Sequence, residues 1–217
     1  MTEPVQIVEI KQPFCTLEFG TAPCTATGTN DQKCYNTRST CKDAANFTRG
    51  RRSLYFSSGR VADRGVAGAD YIIPSLVSVS TSPTKINLAA SSPDASGLGN
   101  RALCNITLAD HQHTDRIVDK YRAGRSWDPL QKERGTFWQR WVARNKYRQN
   151  IEIVIYEGFI GQALSEMVQR TYFLSNISGP DTSGRVTISG KDILSRAEAR
   201  KAQAPLASPG LIFADIL

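Results

Sequence analysis

Four of the chain's five cysteines fall within one short segment, at Cys15, Cys24, Cys34 and Cys41. Between them lie the turn-forming residues Gly20, Pro23, Gly28, Asn30 and Asp31. A segment of this composition is not expected to build an apolar core of its own. Bonds to sulfur are therefore expected to hold its loops together, as two disulfides, a zinc site or an iron–sulfur cluster.

The spacing of the cysteines and the redox state of the cell compartment favour some of these three options over others. The N-terminus lacks the basic, apolar and small-residue pattern of a secretory signal, and no stretch reaches the roughly 18 apolar residues of a membrane span. This predicts synthesis in a reducing cytoplasm, where disulfides are disfavoured. Zinc knuckles usually set two cysteines about two to four residues apart, whereas the intervals here are eight, nine and six residues. Such wide intervals favour four loops around a larger body, such as a cubane cluster, but leave zinc and disulfides open.

The cysteines sit in three short runs: PFCTLEFGTAPCTA at 13–26, KCYNT at 33–37 and TCKD at 40–43. These runs resemble the start of tail-tip (baseplate) hub proteins of long-tailed, siphovirus-type bacteriophages and of gene transfer agents. The resemblance is specific in the cysteine segment and pattern-like through Tyr156, Glu157, Gly158 and the final third. It implies that Cys15, Cys24, Cys34 and Cys41 bind the iron of a 4Fe–4S cluster, with zinc as the alternative.

The same resemblance implies a function. Hub proteins are structural components of the virion, so the chain is expected to form a ring of its own copies that closes or continues the tail tube. Three copies are favoured, with six as the alternative, and the expected neighbours are tail-tube, distal-tail and other tail-tip proteins. The protein would be made in the cytoplasm of a host bacterium and located in the virion. The implied fold is an antiparallel β-barrel or sandwich like that of tail-tube subunits.

Charge is concentrated in one stretch. Lys and Arg number 27 against 20 Asp and Glu, for a net charge of +7. Residues 115–148 hold ten basic and four acidic side chains, so this stretch alone carries +6. It is a candidate contact surface for acidic neighbours, as is the apolar end at 211–217.

All three tryptophans fall in this basic stretch. Within 133–146, Phe137, Trp138, Trp141 and Val142 recur at helical spacing, which predicts an amphipathic helix packed on a sheet. The alternative is an aromatic and basic surface that grips single-stranded nucleic acid. The second functional hypothesis is therefore a cytoplasmic module that holds a metal or cluster with its four cysteines and binds nucleic acid.

No catalytic residue is assigned, and no enzymatic activity is expected. Cys104 is predicted to be a small core residue, because it alternates with Ile106 and Leu108. A catalytic pair of Cys104 and His111 is not expected, because the sequence offers no third side chain to orient the histidine. His111 and His113 supply only two ligands, which makes a weak metal site. Arg49, Arg51 and Arg52 either offset the charge of a cluster or form a solvated turn.

The elements expected to position these residues are mainly strands. They are predicted at 4–10, 54–56, 76–79 with 86–88 as a hairpin, 102–109, 151–160, 168–177 and 185–189. Loops are predicted at 57–70 and 89–100, and two short helices at 133–146 and 191–201. The fold class is thus α+β, mainly antiparallel β. Residues 1–52 are expected to form a loop-rich cysteine segment, 53–205 a β domain with packed helices, and 206–217 a terminal strand or connector.

Overall fold

The computed structural model describes residues 3–27, 34–86, 99–112, 118–121 and 135–193. Its strands are β1 Pro4–Cys15, β2 Arg49–Phe56, β3 Ile72–Ile73, β4 Leu76–Ser82, β5 Lys85–Ile86, β6 Gly99–Asn100, β7 Leu103–Ala109, β8 Glu152–Phe159, β9 Val168–Ser178 and β10 Arg185–Lys191. Its α-helices are α1 Gly59–Arg64 and α2 Phe137–Arg144. None of the helices in these ranges is long and apolar enough to cross a membrane.

Within these ranges eight strands form one mixed sheet in the order β3-β2-β1-β8-β9-β10-β7-β4, and β5 pairs with β6 in a separate ribbon. The mainly β class is confirmed. The expectation of an antiparallel sheet needs one correction, since β2 and β3 run parallel. That pair needs no tight turn, because α1 and its flanking loops supply the crossover between the two strands.

The sheet curls so that its two edges approach each other. Edge strands β3 and β4 are consecutive in the chain, so the Cα atoms of Ile73 and Leu76 stand at most about 11 Å apart. Eight strands have seven spacings, and a flat sheet would separate its edges by about 34 Å. Backbone hydrogen bonds mark the approach: Ser57 N–H donates to Ile73 O at 3.1 Å, and Leu76 N–H donates to Ser57 O at 3.1 Å.

The concave face of this sheet packs around α2. Phe137, Trp138 and Trp141 are buried in one cluster with side chains of β1, β2, β7, β8, β9 and β10. Trp138 stacks on Phe56 at a centroid distance of 5.3 Å, and Trp141 Nε1–H donates to Gln12 Oε1 at 3.0 Å. The predicted aromatic helix face is therefore confirmed as core.

The opposite face of β1 and β8 has a second, smaller core. Val61 of α1 packs there with Ile7, Val154 and Leu164. The expectation of a loop across 57–70 was wrong, because α1 lies within it. This short helix buries only Val61 and ends at Gly65, whose φ of +69° and N–H to Val61 O bond terminate it, so it has little periodicity to detect.

The predicted hairpin at 76–79 and 86–88 was also wrong. β4 pairs with β7, and β5 pairs with β6. The reason is long-range, since β7 presents the buried side chains of Cys104, Ile106 and Leu108 and binds β4 along the edge of that core. The other predicted strands are confirmed within β1, β2, β7, β8, β9 and β10. Most of the predicted helix at 191–201, and all of the segment 206–217, lie outside the described residues.

Candidate metal centre

The cysteine segment is an insertion between two neighbouring strands of the sheet. Cys15 ends β1, where it pairs with Arg49 at the start of β2. Cys15 and Cys34 are buried, while Cys24 and Cys41 are half-buried. All five cysteines lie in the described part of the chain, and none of them forms a disulfide. The segment is thus anchored at both ends in the sheet.

The four thiols of the segment lie close enough to interact electrostatically. Burial raises the pKa of Cys34, a hydrogen bond from the backbone N–H of Asn36 lowers it, and the charges of Cys41, Cys24 and Cys15 raise it. Each of the other three cysteines therefore lies within electrostatic range of Cys34. A raised pKa keeps Cys34 protonated at neutral pH, so metal binding there must release a proton.

Asn36 connects the loops of Cys15 and Cys34. Its backbone O accepts from Cys15 N–H at 2.7 Å. Its Nδ2 donates to Cys15 O at 3.0 Å and to Leu17 O at 3.1 Å. Asn36 adopts a φ of +55°, a left-handed conformation that asparagine tolerates better than most residues. One side chain therefore fixes the position of two ligand loops.

Asp43 connects the loops of Cys24 and Cys41. Its Oδ2 accepts from Thr25 N–H at 2.7 Å, from Thr25 Oγ1 at 2.9 Å and from Asn46 Nδ2 at 3.0 Å. The hydrogen bonds from Asn46 and Thr25 lower the pKa of Asp43 to about 2. The Cys41 thiol donates to Asp43 O at 3.1 Å. Asp43 thus remains ionised at any physiological pH and joins the loops of Cys24 and Cys41.

The segment docks onto the C-terminal end of α2. Thr37 Oγ1 donates to Arg144 O at 2.6 Å, and Ser39 Oγ donates to the same carbonyl. The Arg144 guanidinium lies 3.8 Å from the ring centroid of Tyr35, within cation–π range. These contacts satisfy one of the carbonyls that a helix end leaves without an intrahelical partner.

A second docking contact comes from residues 118–121. Tyr121 Oη accepts from Phe19 N–H at 2.8 Å, and the two rings meet edge-on at 6.2 Å. The segment was expected to have no apolar core of its own. In the structure, hydrogen bonds to the end of α2 and to Tyr121 position the cysteine segment.

The arginines after the segment have distinct partners. Arg51 Nη1 lies 2.9 Å from Glu152 Oε2. Arg52 Nη1 donates to Val118 O at 3.0 Å, and its guanidinium lies 5.3 Å from the ring centroid of Phe14. Arg49 and Arg51 are both exposed, and Arg49 lies directly opposite Cys15. Of the three, Arg49 is the cation that the register places beside a thiol.

Among the described residues, no three His, Cys, Asp or Glu side chains are grouped tightly enough to hold a metal ion as they stand. A tetrahedral zinc site would need its sulfurs about 3.8 Å apart, given Zn–S bonds of about 2.3 Å. The donor set itself fits soft metals, since thiolates select zinc and iron–sulfur clusters. The residues that would hold either one are Cys15, Cys24, Cys34 and Cys41.

Cys104 lies apart from this centre. It is 1% exposed in the main core, and burial raises its pKa to about 11, so its predicted place as a core residue is confirmed. His111 stacks on Phe137 at 5.3 Å between centroids, whereas His113 lies outside the described residues.

The basic stretch is described only at 118–121 and 135–148. There, Trp138 and Trp141 are buried and cannot stack on bases, which removes the aromatic half of the nucleic-acid hypothesis for these two residues. Trp127 lies outside the described residues.

Sequence reasoning identified the thiols but missed the residues that position them. Asn36, Thr37 and Asp43 act through backbone groups and short polar side chains. The only local signal was the clustering of Asn, Thr, Ser and Asp next to Cys34 and Cys41.

Comparisons with models of protein families, with curated proteins and with solved structures found no match to this chain.

Proposed function

We propose that this chain is a structural virion protein of a phage tail tip, forming a hub ring that closes or continues the tail tube. Cys15, Cys24, Cys34 and Cys41 would hold a 4Fe–4S cluster. The chain performs no catalysis in this role. The protein would be made in the cytoplasm of a host bacterium and incorporated into the tail tip.

The observation that carries the proposal is that hydrogen bonds join the four cysteine-bearing loops in pairs. The charges of Cys15, Cys24 and Cys41 also act on the pKa of Cys34, although the sequence separates the four residues by wide intervals. Asn36 and Asp43 each join two of these loops with hydrogen bonds. A cluster would add sulfur–iron bonds to this polar scaffold and supply folding free energy that the segment's small apolar content does not.

The curled sheet supports the proposed barrel-like, tail-tube class of fold. Its edges approach through the short connection between Ile73 and Leu76, and α2 fills the space that the sheet surrounds. A tube subunit of this kind presents two different faces to its neighbours, as cyclic symmetry requires. We expect three copies about the tail axis, with six as the alternative, in contact with tail-tube, distal-tail and other tip proteins.

The metal content of anaerobically prepared protein tests the cluster. We expect iron and acid-labile sulfide in near-equal amounts, with a brown colour that is lost in air or on chelation. Cys34→Ser should lose both, whereas the matched control Cys104→Ala should keep both, because Cys104 is buried in the main core. Stoichiometric zinc without sulfide would contradict the cluster.

The ring is tested separately by sedimentation of the assembled protein and by the symmetry of the native particle. A cyclic oligomer supports the hub role. A particle that holds this chain as a monomer would contradict it, whatever the metal content.

A further inference from the structure

Strand β4 is an edge strand with an unprotected sequence. It pairs with β7 on one side, and in the described ranges the sheet order places no strand on its other side. Natural edge strands are usually short, charged or interrupted by proline, which prevents pairing with foreign strands. β4 is seven residues long, LVSVSTS, and contains no charge and no proline. It is therefore suited to receive another strand.

A second unpaired edge faces the start of β4. The pairing of β1 with β2 ends at Val8 and Phe56, so the described residues give Pro4–Ile7 a partner strand only in β8. Between this part of β1 and residues 76–78 lies a groove of about 450 Å³, with Val61 of α1 among its lining residues. Val77 is 47% exposed at its wall. At the closed end of the groove, Gln6 O accepts from Ser57 Oγ at 2.6 Å and Leu76 N–H donates to Ser57 O at 3.1 Å. Beyond these bonds the groove exposes apolar surface between the two strands, where an added strand could pair.

We propose that the segment 211–217 of the same chain adds to β4 as an antiparallel strand whose last residues enter this groove. Its sequence, LIFADIL, has seven residues, as β4 does, and six of them are apolar. A strand in this groove would have one face against Val61 and beside the exposed Val77, so its apolar side chains would cover apolar surface that is otherwise open. This proposal is independent of the cysteine centre and of its metal.

The sheet register places the end of β10 near the end of β4. β10 ends at Lys191, which pairs with Leu103, and Leu103 pairs with Ser82 at the end of β4. The chain therefore leaves the sheet two strand spacings from Ser82, or about 10 Å. Residues 192–210 can extend about 63 Å, which exceeds this distance several times over. A strand that starts beside Ser82 and runs toward Leu76 is antiparallel to β4.

The same chain is a better source of this strand than a second copy. A short tether keeps the segment at an effective concentration in the millimolar range beside β4, far above ordinary protein concentrations. Intramolecular pairing also covers the edge before another chain can reach it.

Amide hydrogen exchange on the full chain tests the proposal. In the wild type, the alternate amides of Val77–Ser82 that do not bond to β7 should be protected. Phe213→Pro removes a donor and blocks pairing, so those amides should exchange at least about tenfold faster. The matched control Ala204→Pro lies between β10 and the segment and should leave them unchanged, and the amides of β8 should be unaffected in both variants.

Concentration distinguishes the two sources of the strand. If 211–217 binds in the same chain, protection of β4 should not change on dilution. Protection that falls on dilution would assign the strand to a second copy and overturn the proposal. So would β4 amides that exchange equally in the wild type and in Phe213→Pro, whether fast or slow, because the segment would then not be the partner of β4.

Discussion

The two hydroxyl groups that meet the end of α2 lead to a prediction about how the cysteine segment is docked. Thr37 and Ser39 both donate to the carbonyl of Arg144, and Thr37 is 2% exposed. Thr37→Val removes one hydroxyl while keeping the side-chain shape. Ser39→Ala removes the other. Each single variant leaves the carbonyl with one donor, and the double variant removes both of these donors.

The expected loss of stability in each variant follows because two hydroxyl groups donate to one carbonyl. With the carbonyl still paired, Ser39→Ala should cost about 0.5–1.5 kcal/mol. Thr37→Val should cost more, because Thr37 Oγ1 also bonds Thr40 Oγ1 at 2.9 Å. In the double variant the carbonyl loses both hydroxyl donors. Stranding an acceptor adds about 1–3 kcal/mol when it is buried, and the lower end applies here because Arg144 is half-buried. We therefore expect the double variant to exceed the sum of the singles by about 1 kcal/mol or more, within the range found for neighbouring groups.

The readout is hydrogen exchange at the Cys15 amide in the reduced, metal-free chain. This amide donates to Asn36 O at 2.7 Å, so it reports when the segment leaves its docked position. Thr48→Val is the matched control, since Thr48 Oγ1 contacts Asn46 O at 3.3 Å within the same segment. Strictly additive effects at Cys15, or no change in the double variant, would refute the reasoning.

Four further predictions concern the centre and its surroundings. Cys34→Ser should raise hydrogen exchange across 13–45 and leave the amides of β8 protected; loss of protection in β8 as well would show that the main sheet depends on the centre. The hydrogen bonds of Asp43 should contribute fully above its ordinary pKa of 3.8 and be lost as the pH falls through about 2, and Asp43→Asn should abolish that dependence of exchange in the segment. In the metal-free native chain, Cys104 should react with a thiol reagent last, because burial raises its pKa to about 11; simultaneous reaction of all five thiols would contradict its placement. Lys146→Glu combined with Arg148→Glu should weaken ring assembly and change the unfolding free energy by only about 0–1 kcal/mol, as measured by sedimentation and urea titration.

The strands were predictable where one face is buried and the other is not. Cys104, Ile106 and Leu108 alternate with exposed or half-exposed neighbours in β7, so the period of two is visible in the sequence. The extension of β1 from Lys11 to Cys15 was not visible, because Gln12 is a buried polar residue and Pro13 is unusual within a strand, so the apolar pattern of 4–10 does not continue. The partner of β4 was missed because it lies in β7, beyond the range of turn signals.

The thiols of the candidate site were predictable and the residues that position them were not. Four cysteines clustered in the sequence indicate a candidate site for soft metals, whereas the isolated Cys104 is a core residue. By contrast, the acceptor that docks the segment is the backbone carbonyl of Arg144, 107 positions from Thr37. Every residue carries such a carbonyl, so sequence cannot show which one is used. The same holds for the placement of the arginine side chain on Tyr35.

The geometry of β1 also has a mechanical consequence. This strand extends over twelve residues, or about 40 Å, with Cys15 at one end and the groove beside β4 at the other. It is bonded to β2 through eight residue pairs and to β8 through another eight. A pull along the strand would load these hydrogen bonds in shear, so that they resist together and do not open one after another. β1 is therefore expected to resist extension. A force applied at Cys15 should be transmitted to Pro4 with little change in the length of the strand.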